Sequence, residues 1–200
     1  MKKNIQYLKK YFDALIFDFD GTLMNTMPAH NQAWIETLLK YKVEISEKEL
    51  QSLAGIPNLK TAELLCTKYN INLDPESISN LKSIRAEELL IHAEPYYEVE
   101  EVVRSSVSHF KLAIVSGSQK HLISPLLQKY NLENLFEVVI TCEDTIRGKP
   151  HPDPFLLGAK KLSVDPEKCL VFEDGQLGIE AALKAKMKTL FVKDGHILWN

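Results

Sequence analysis

The stretch ALIFDFDGT, residues 14–22, decides how the rest of the chain is read: four apolar residues, Ala14 to Phe17, run into two carboxylates, Asp18 and Asp20, and a glycine. A short apolar run closed in this way is expected to be a buried parallel strand that delivers its acids to the C-terminal edge of a sheet. Alternate residues of an extended chain point the same way, so Asp18 and Asp20 can face one site. Two close carboxylates repel each other and call for a cation or a shared proton. Taken alone, Asp-x-Asp-Gly could equally be a calcium-type surface loop or a turn.

Four further runs share the character of the first: KLAIVSG (111–117), EVVIT (137–141), KCLVFED (168–174) and KTLFVK (188–193). Amphipathic segments lie between them at 119–130, about 153–163 and about 176–187, and Pro125 predicts a kink or a late start in the first of these. Strand and helix in alternation predict a doubly wound α/β core with a parallel sheet. Residues 31 to about 93 break the rhythm with helical patterns only. Trp34, Leu38 and Tyr41 share one stripe, Ser46 with Glu49 reads as a capping box, and Asp74-Pro75 starts a stretch to Ala93. The expected organisation is a core of 1–26 and 95–200 with a helical cap domain, 27–94, inserted after the first strand. Hinges are expected near Pro28 and Pro95.

At 200 residues the chain is long enough for one large core or a core with an insert. A net charge of −3 offers no general attraction for nucleic acid or an anionic membrane surface. The apolar run after the early lysines is too short for a signal peptide or a span, so a cytoplasmic location is expected. The three cysteines, Cys66, Cys142 and Cys169, lack metal-ligand spacing and are expected to be small core residues. Nothing demands more than a monomer.

In a doubly wound sheet the ligand crevice lies at the carboxyl ends of the strands. Those ends carry Asp18 and Asp20, then Ser116-Gly117-Ser118, then Glu173-Asp174, while the third feeds a loop holding Lys149. Four carboxylates are hard oxygen ligands that suit Mg²⁺. Ser116, the amides around Gly117 and Lys149 can bind a tetrahedral oxyanion, with Ser118 expected to N-cap the next helix. An acid cluster, a lysine and an anion cradle together imply phosphoryl chemistry. Singly, each has a bland reading: Lys149 as a loop lysine, Ser116 as a cap, Glu173-Asp174 as a solvated strand end. Neither a GxxxxGK[ST] loop nor a G-x-G-x-x-G fingerprint is present.

The segments DFDGT (18–22), VSGS (115–118), GKPHPDPF (148–155) and FEDGQLGI (172–179), in this order, resemble the haloacid-dehalogenase-like (HAD) hydrolase superfamily, whose core is Rossmann-like. The insert resembles the cap of its β-phosphoglucomutase-like subgroup. By that resemblance Asp18 is the nucleophile that forms an aspartyl-phosphate, and Asp20 is the general acid and then base. Ser116, Gly117 and Lys149 hold the phosphoryl group. Mg²⁺ is held by Asp18, the Asp20 carbonyl and Asp174, with Glu173 directly or through water. Dehalogenases of this superfamily lack an acid at the position of Asp20, so dehalogenation is disfavoured. Gly175 stands where relatives often carry serine.

The implied substrate is a small phosphorylated metabolite, selected by cap residues such as Thr26, His30 and Asn58. His30 reads either as a substrate-positioning residue or as an interfacial residue capping a helix. Mutases of the subgroup carry basic residues in the cap loop LAGIPNLKT (53–61), where this chain has Ala54 and Asn58. Lys60, Lys82 and Arg85 could compensate, although solvated helix faces are their expected place. The resemblance therefore implies a phosphatase, similar to those acting on fructose 1-phosphate. A phosphosugar mutase and a non-enzymatic phosphate-binding or phospho-acceptor module remain as alternatives.

Overall fold

The computed structural model describes residues 2–53 and 56–199. Ala54, named above for the cap loop, lies outside the described residues. Two compact units are present, residues 1–25 with 94–200 and residues 26–93.

The first unit is built on a six-stranded sheet. In chain order its elements are α1 (Lys2–Leu8), β1 (Ala14–Phe17), α6 (Tyr97–Ser106), β2 (Lys111–Val115) and α7 (Lys120–Lys129). There follow β3 (Val138–Ile140), α8 (Asp153–Leu162), β4 (Cys169–Glu173), α9 (Gln176–Lys184), β5 (Lys188–Lys193) and β6 (His196–Ile197). The sheet order is β3-β2-β1-β4-β5-β6. All pairings are parallel except β5 with β6, so the five expected strands form the sheet and a short antiparallel one closes its edge.

The sequence explains the central strand directly. Every residue of β1 is buried, because a parallel strand is covered on both faces and has no polar side to offer water. Ala14 and Ile16 join Val115, Ile140, Phe155 and Val171 in one core cluster. The alternate Phe17 stacks on Phe172, ring centroids 4.5 Å apart, and meets Phe136 edge-on. Ile197 is buried within β6, paired with Val192, and the Trp199 indole donates to Glu98 Oε1, whereas Leu198 stays exposed. Helix α7 runs through Pro125 without ending there. Cys66 and Cys169 are buried as expected, but Cys142 is exposed, because β3 ends at Ile140 and leaves it in the following loop.

The second unit holds, among the described residues, four helices: α2 (Met27–Leu39), α3 (Glu47–Ser52), α4 (Asn58–Tyr69) and α5 (Pro75–Leu90). Its core gathers Trp34, Leu38, Leu50, Leu65 and Ile78. Asp74 caps α5 by accepting from the Ser77 N–H at 3.1 Å. The capping box of α3 forms by half. Ser46 accepts from the Glu49 N–H at 3.2 Å, but the Glu49 carboxylate turns instead to Lys68 and Tyr69.

The chain leaves and re-enters the first unit at one place. The Asn25 N–H donates to Glu94 O at 2.9 Å, the Tyr96 N–H to Leu23 O at 2.9 Å, and Met24 bridges Pro95 in antiparallel fashion.

Candidate active site

Strand β1 ends in a tight turn that sets both leading acids. The Asp18 N–H continues the ladder to Phe172 O at 2.9 Å, which fixes Asp18 beside the end of β4. The chain then folds back, with Gly21 N–H donating to Met24 O at 2.8 Å. Gly21 sits at φ +85°, and a Cβ there would collide with the Asp174 carboxylate, whose Cγ would be 2.9 Å away. Glycine is thus required both by the backbone and by the acid packed on it. The turn separates the two acids. Asp18 is buried and faces Lys149, while Asp20 reaches Ser116 and Ser118.

Lys149 lies at the centre of the acidic group. Its Nζ contacts Asp18 Oδ1 at 2.5 Å and Glu173 Oε1 at 2.6 Å, above the Phe155 ring at 5.2 Å. Glu173 also accepts from the Gly175 N–H at 2.7 Å through Oε2. The side chain of Glu173 fits because residue 178 is glycine, whose Cβ would otherwise overlap Oε1. Asp174 accepts from the Thr22 hydroxyl at 2.9 Å.

One lysine serves three buried or half-buried carboxylates, and the electrostatics record the imbalance. Burial raises the Asp18 carboxyl well above the ordinary range; Lys149 pulls it back, and Glu173, Asp174 and Asp20 push it further up. Asp174 is pushed up to about 6 by burial and by the charge of Glu173, against the Thr22 hydrogen bond. Burial would lower the Lys149 ammonium, but Asp18 and Glu173 more than offset it and hold it above its usual value.

Oxygens of Asp18, Glu173 and Asp174 lie within 4.8 Å of one another. Hard carboxylate donors this close, carrying more negative charge than one lysine neutralises, fit a divalent cation such as Mg²⁺. The Asp20 carboxylate stands outside this group.

The anion cradle begins at Ser116. This serine is buried, and its hydroxyl accepts from the Ser118 N–H at 2.9 Å and donates to Asp20 Oδ2 at 3.2 Å. Gly117 is exposed, and a Cβ there would meet nothing within 4 Å, so what it offers is its amide. Ser118 does not cap the next helix. That helix starts later, with Gln119 at the cap position, and the Lys120 N–H is taken by Glu143 Oε2 at 3.1 Å. The Ser118 hydroxyl goes to Asp20 Oδ2 at 2.6 Å instead.

Within the helical unit, Thr26 is the N-cap residue of α2, fully buried, with no hydrogen-bond partner for its hydroxyl among the described residues. His30 lies inside α2, not at its N-cap. Its Nδ1 lies 2.9 Å from Lys82 Nζ, which also donates to Asn58 Oδ1 at 3.1 Å and sits 5.6 Å from the Trp34 ring centroid. The expected solvated place for Lys82 is wrong: only 2% of it is exposed. Its position in α5 brings it against α2 and α4, whose His30 and Asn58 supply acceptors for an otherwise costly buried ammonium. Lys60 and Arg85 are surface residues, paired with Glu63 and with Glu36 and Glu88.

Sequence reading passed over Thr22 and Gly178, placed Lys82 on a solvated face, and misassigned Ser118. Thr22 and Gly178 were legible as parts of DFDGT and FEDGQLGI. Lys82 had no local signal, since a lysine among Ser79, Asn80 and Ser83 looks like any wet helix face.

Comparison with known proteins agrees with this geometry. The family described as haloacid dehalogenase-like hydrolase matches residues 15–192. The fructose-1-phosphate phosphatase YqaB of Escherichia coli K12 is 31% identical over 182 residues, covering 91% of this chain and 97% of that protein. The phosphorylated carbohydrates phosphatase of Thermotoga maritima is 30% identical, covering 90% of this chain and 84% of its own. The crystal structure of β-phosphoglucomutase from Clostridium difficile superposes with a TM-score of 0.79 at 25% identity, covering 91% of this chain and 85% of that one. This chain belongs to the haloacid dehalogenase-like hydrolase family.

Proposed function

We propose that the chain is a Mg²⁺-dependent phosphatase of small phosphomonoesters, a sugar phosphate in preference, working through an aspartyl-phosphate on Asp18. The observation that carries this reading is the division of the two leading acids. Asp18 is held by Lys149 among the metal-binding carboxylates, and Asp20 stands apart on two serine hydroxyls. A nucleophile must be ionised and a leaving-group acid must carry a proton, so the two need different surroundings.

Asp18, Glu173 and Asp174 would hold Mg²⁺ with the Asp20 carbonyl. When bound, the ion supplies charge neutralisation between Asp18 and the phosphoryl oxygens. Lys149, Ser116 and the Gly117 amide orient those oxygens. An Asp18 oxygen attacks phosphorus, the ester P–O bond breaks, and Asp20 gives its proton to the departing alkoxide. Asp20, now a carboxylate, takes a proton from water as that water attacks phosphorus. The Asp18–P bond then breaks, and inorganic phosphate leaves. Dehalogenation is disfavoured because Asp20 is present.

Substrate choice is assigned to the helical unit as a cap, through Thr26, His30 and Asn58 around Lys82. The relatives named for fructose 1-phosphate and phosphorylated carbohydrates support a sugar phosphate. One second reading, a phosphosugar mutase, is favoured by Lys82, a buried cation on Asn58 of the cap loop, whereas the loop's own Lys60 is exposed and paired with Glu63.

The test is phosphate release from a panel of phosphomonoesters that includes fructose 1-phosphate and β-glucose 1-phosphate, with Mg²⁺ and with chelator. Mg²⁺-dependent release on one or a few sugar phosphates is expected. Conversion of β-glucose 1-phosphate to glucose 6-phosphate without release would make the protein a mutase. No turnover of any ester by folded protein would leave a binding module.

A further inference from the structure

From the geometry around Asp20 we infer that Ser118 is a positioning residue for the general acid–base, holding the Asp20 carboxyl in place through both proton transfers. The inference rests on the phosphatase reading above and adds to it a residue that none of the assigned roles covers.

Ser118 has been released from the task its place in the sequence implies. A serine ahead of a helix ordinarily spends its hydroxyl on a first-turn amide. Here Glu143, reaching over from the loop after β3, takes the Lys120 N–H, and Gln119 occupies the cap position without a side-chain bond. The hydroxyl of Ser118 is thereby left for Asp20, and its contact with Oδ2, 2.6 Å, is shorter than the 3.2 Å from Ser116.

The backbone that delivers this hydroxyl is pinned on both sides. The Ser118 N–H donates to Ser116 Oγ at 2.9 Å, and the Ser118 carbonyl accepts from the Cys142 N–H at 3.3 Å. A hydroxyl carried by a fixed loop can fix a carboxyl that has torsions of its own. That matters because small misplacements of a reacting group cost large factors in rate.

Two chemical considerations select Ser118 over Ser116 for this role. Ser116 is assigned to the phosphoryl oxygens, so bound substrate competes with Asp20 for its hydroxyl. Ser118 carries no such assignment and stays with Asp20. A hydroxyl also both donates and accepts. It can donate to Oδ2 while Oδ1 carries the acid's proton toward the leaving oxygen, and go on donating once that proton has left. A lysine or a backbone amide would favour only the charged form. Serine or threonine serves both halves of the cycle without moving.

The decisive measurement uses the leaving group. The alkoxide of a sugar phosphate needs a proton to depart, whereas p-nitrophenyl phosphate releases a stable phenolate without one. Values of kcat/KM for the best sugar phosphate and for p-nitrophenyl phosphate are compared in full-length wild type, Ser118→Ala, Ser118→Thr and Asp20→Asn. The expected result is that the sugar-to-aryl ratio falls about tenfold in Ser118→Ala, the scale of one lost charge-assisted hydrogen bond, and recovers in Ser118→Thr. If Asp20→Asn collapses the ratio and Ser118→Ala leaves it unmoved, the inference is overturned and the phosphatase reading stands. Equal losses on both esters in Ser118→Ala would also overturn it, as a merely structural role. An unmoved ratio in Asp20→Asn removes the acid assignment itself, and the inference falls with it.

Discussion

Gly178 lies in the first turn of α9, where alanine would ordinarily be the better helix former by up to about 1 kcal/mol. Gly178→Ala should nevertheless destabilise this protein. The new Cβ would overlap Oε1 and Cδ of Glu173, with Oε2 2.7 Å away. Glu173 is 2% exposed, so its carboxylate cannot swing into water. It can yield only by abandoning Lys149 at 2.6 Å and the Gly175 N–H at 2.7 Å. Two charge-assisted bonds at about 2 kcal/mol each, less the helix gain, leave a net loss of about 3 kcal/mol. Unfolding entropies near 2 cal/mol/K per residue turn this into a Tm lower by about 7 °C for a chain of this length. Thermal melts followed by far-UV circular dichroism, with chelator present, read it directly. A variant as stable as wild type, or more so, would show that Glu173 is not anchored as described.

Asp18→Asn should lower sugar-phosphate turnover by roughly 10⁴-fold or more while the metal-free Tm holds or rises, because burial and the neighbouring carboxylates disfavour the ionised Asp18; a variant that still turns over removes Asp18 as nucleophile. Asp174, raised to about 6, favours the metal-free fold below its ordinary range, and that contribution is lost as pH climbs through about 6. The Tm increment given by Mg²⁺ should therefore grow from about pH 5 to about pH 7.5, and an increment constant over that range would contradict proton–metal competition at this carboxylate. Lys82→Met, which replaces a buried ammonium by an apolar chain of similar length, should leave Tm within about 3 °C of wild type or raise it, while KM for the preferred substrate rises about tenfold. A Tm loss well beyond that with KM unchanged would make Lys82 a purely structural group.

The parallel core was open to reading because each of its five strands is a short apolar run ending in polar residues, a pattern that burial on both faces enforces. The site followed from the same logic, since the acids, serines and Lys149 sit at strand ends or in the loops after them. What escaped was set by distant partners. Glu143 displaced Ser118 from its cap, Lys68 and Tyr69 drew Glu49 out of its capping box, and His30 with Asn58 made a buried place for Lys82. No local window contains both members of any of these pairs. Strand β6 is two residues long, too short for a period to register. The exposed Cys142 shows the reverse error, an apolar-looking neighbourhood that the strand abandons one residue early.

The clasp between Asn25 and Glu94 bears on how such a chain can change over generations. Because the two ends of the intervening segment meet across two backbone hydrogen bonds, and loop-closure entropy grows only slowly with length, that segment can vary in length and content at little cost to the sheet. A lineage can graft, trim or exchange everything between those two residues and still lay β1 against β2 in the same register. On the proposed function, chemistry encoded on one side of the clasp and recognition encoded on the other can then drift at different speeds. Wide substrate variety on a constant reaction is the outcome that such a joint permits.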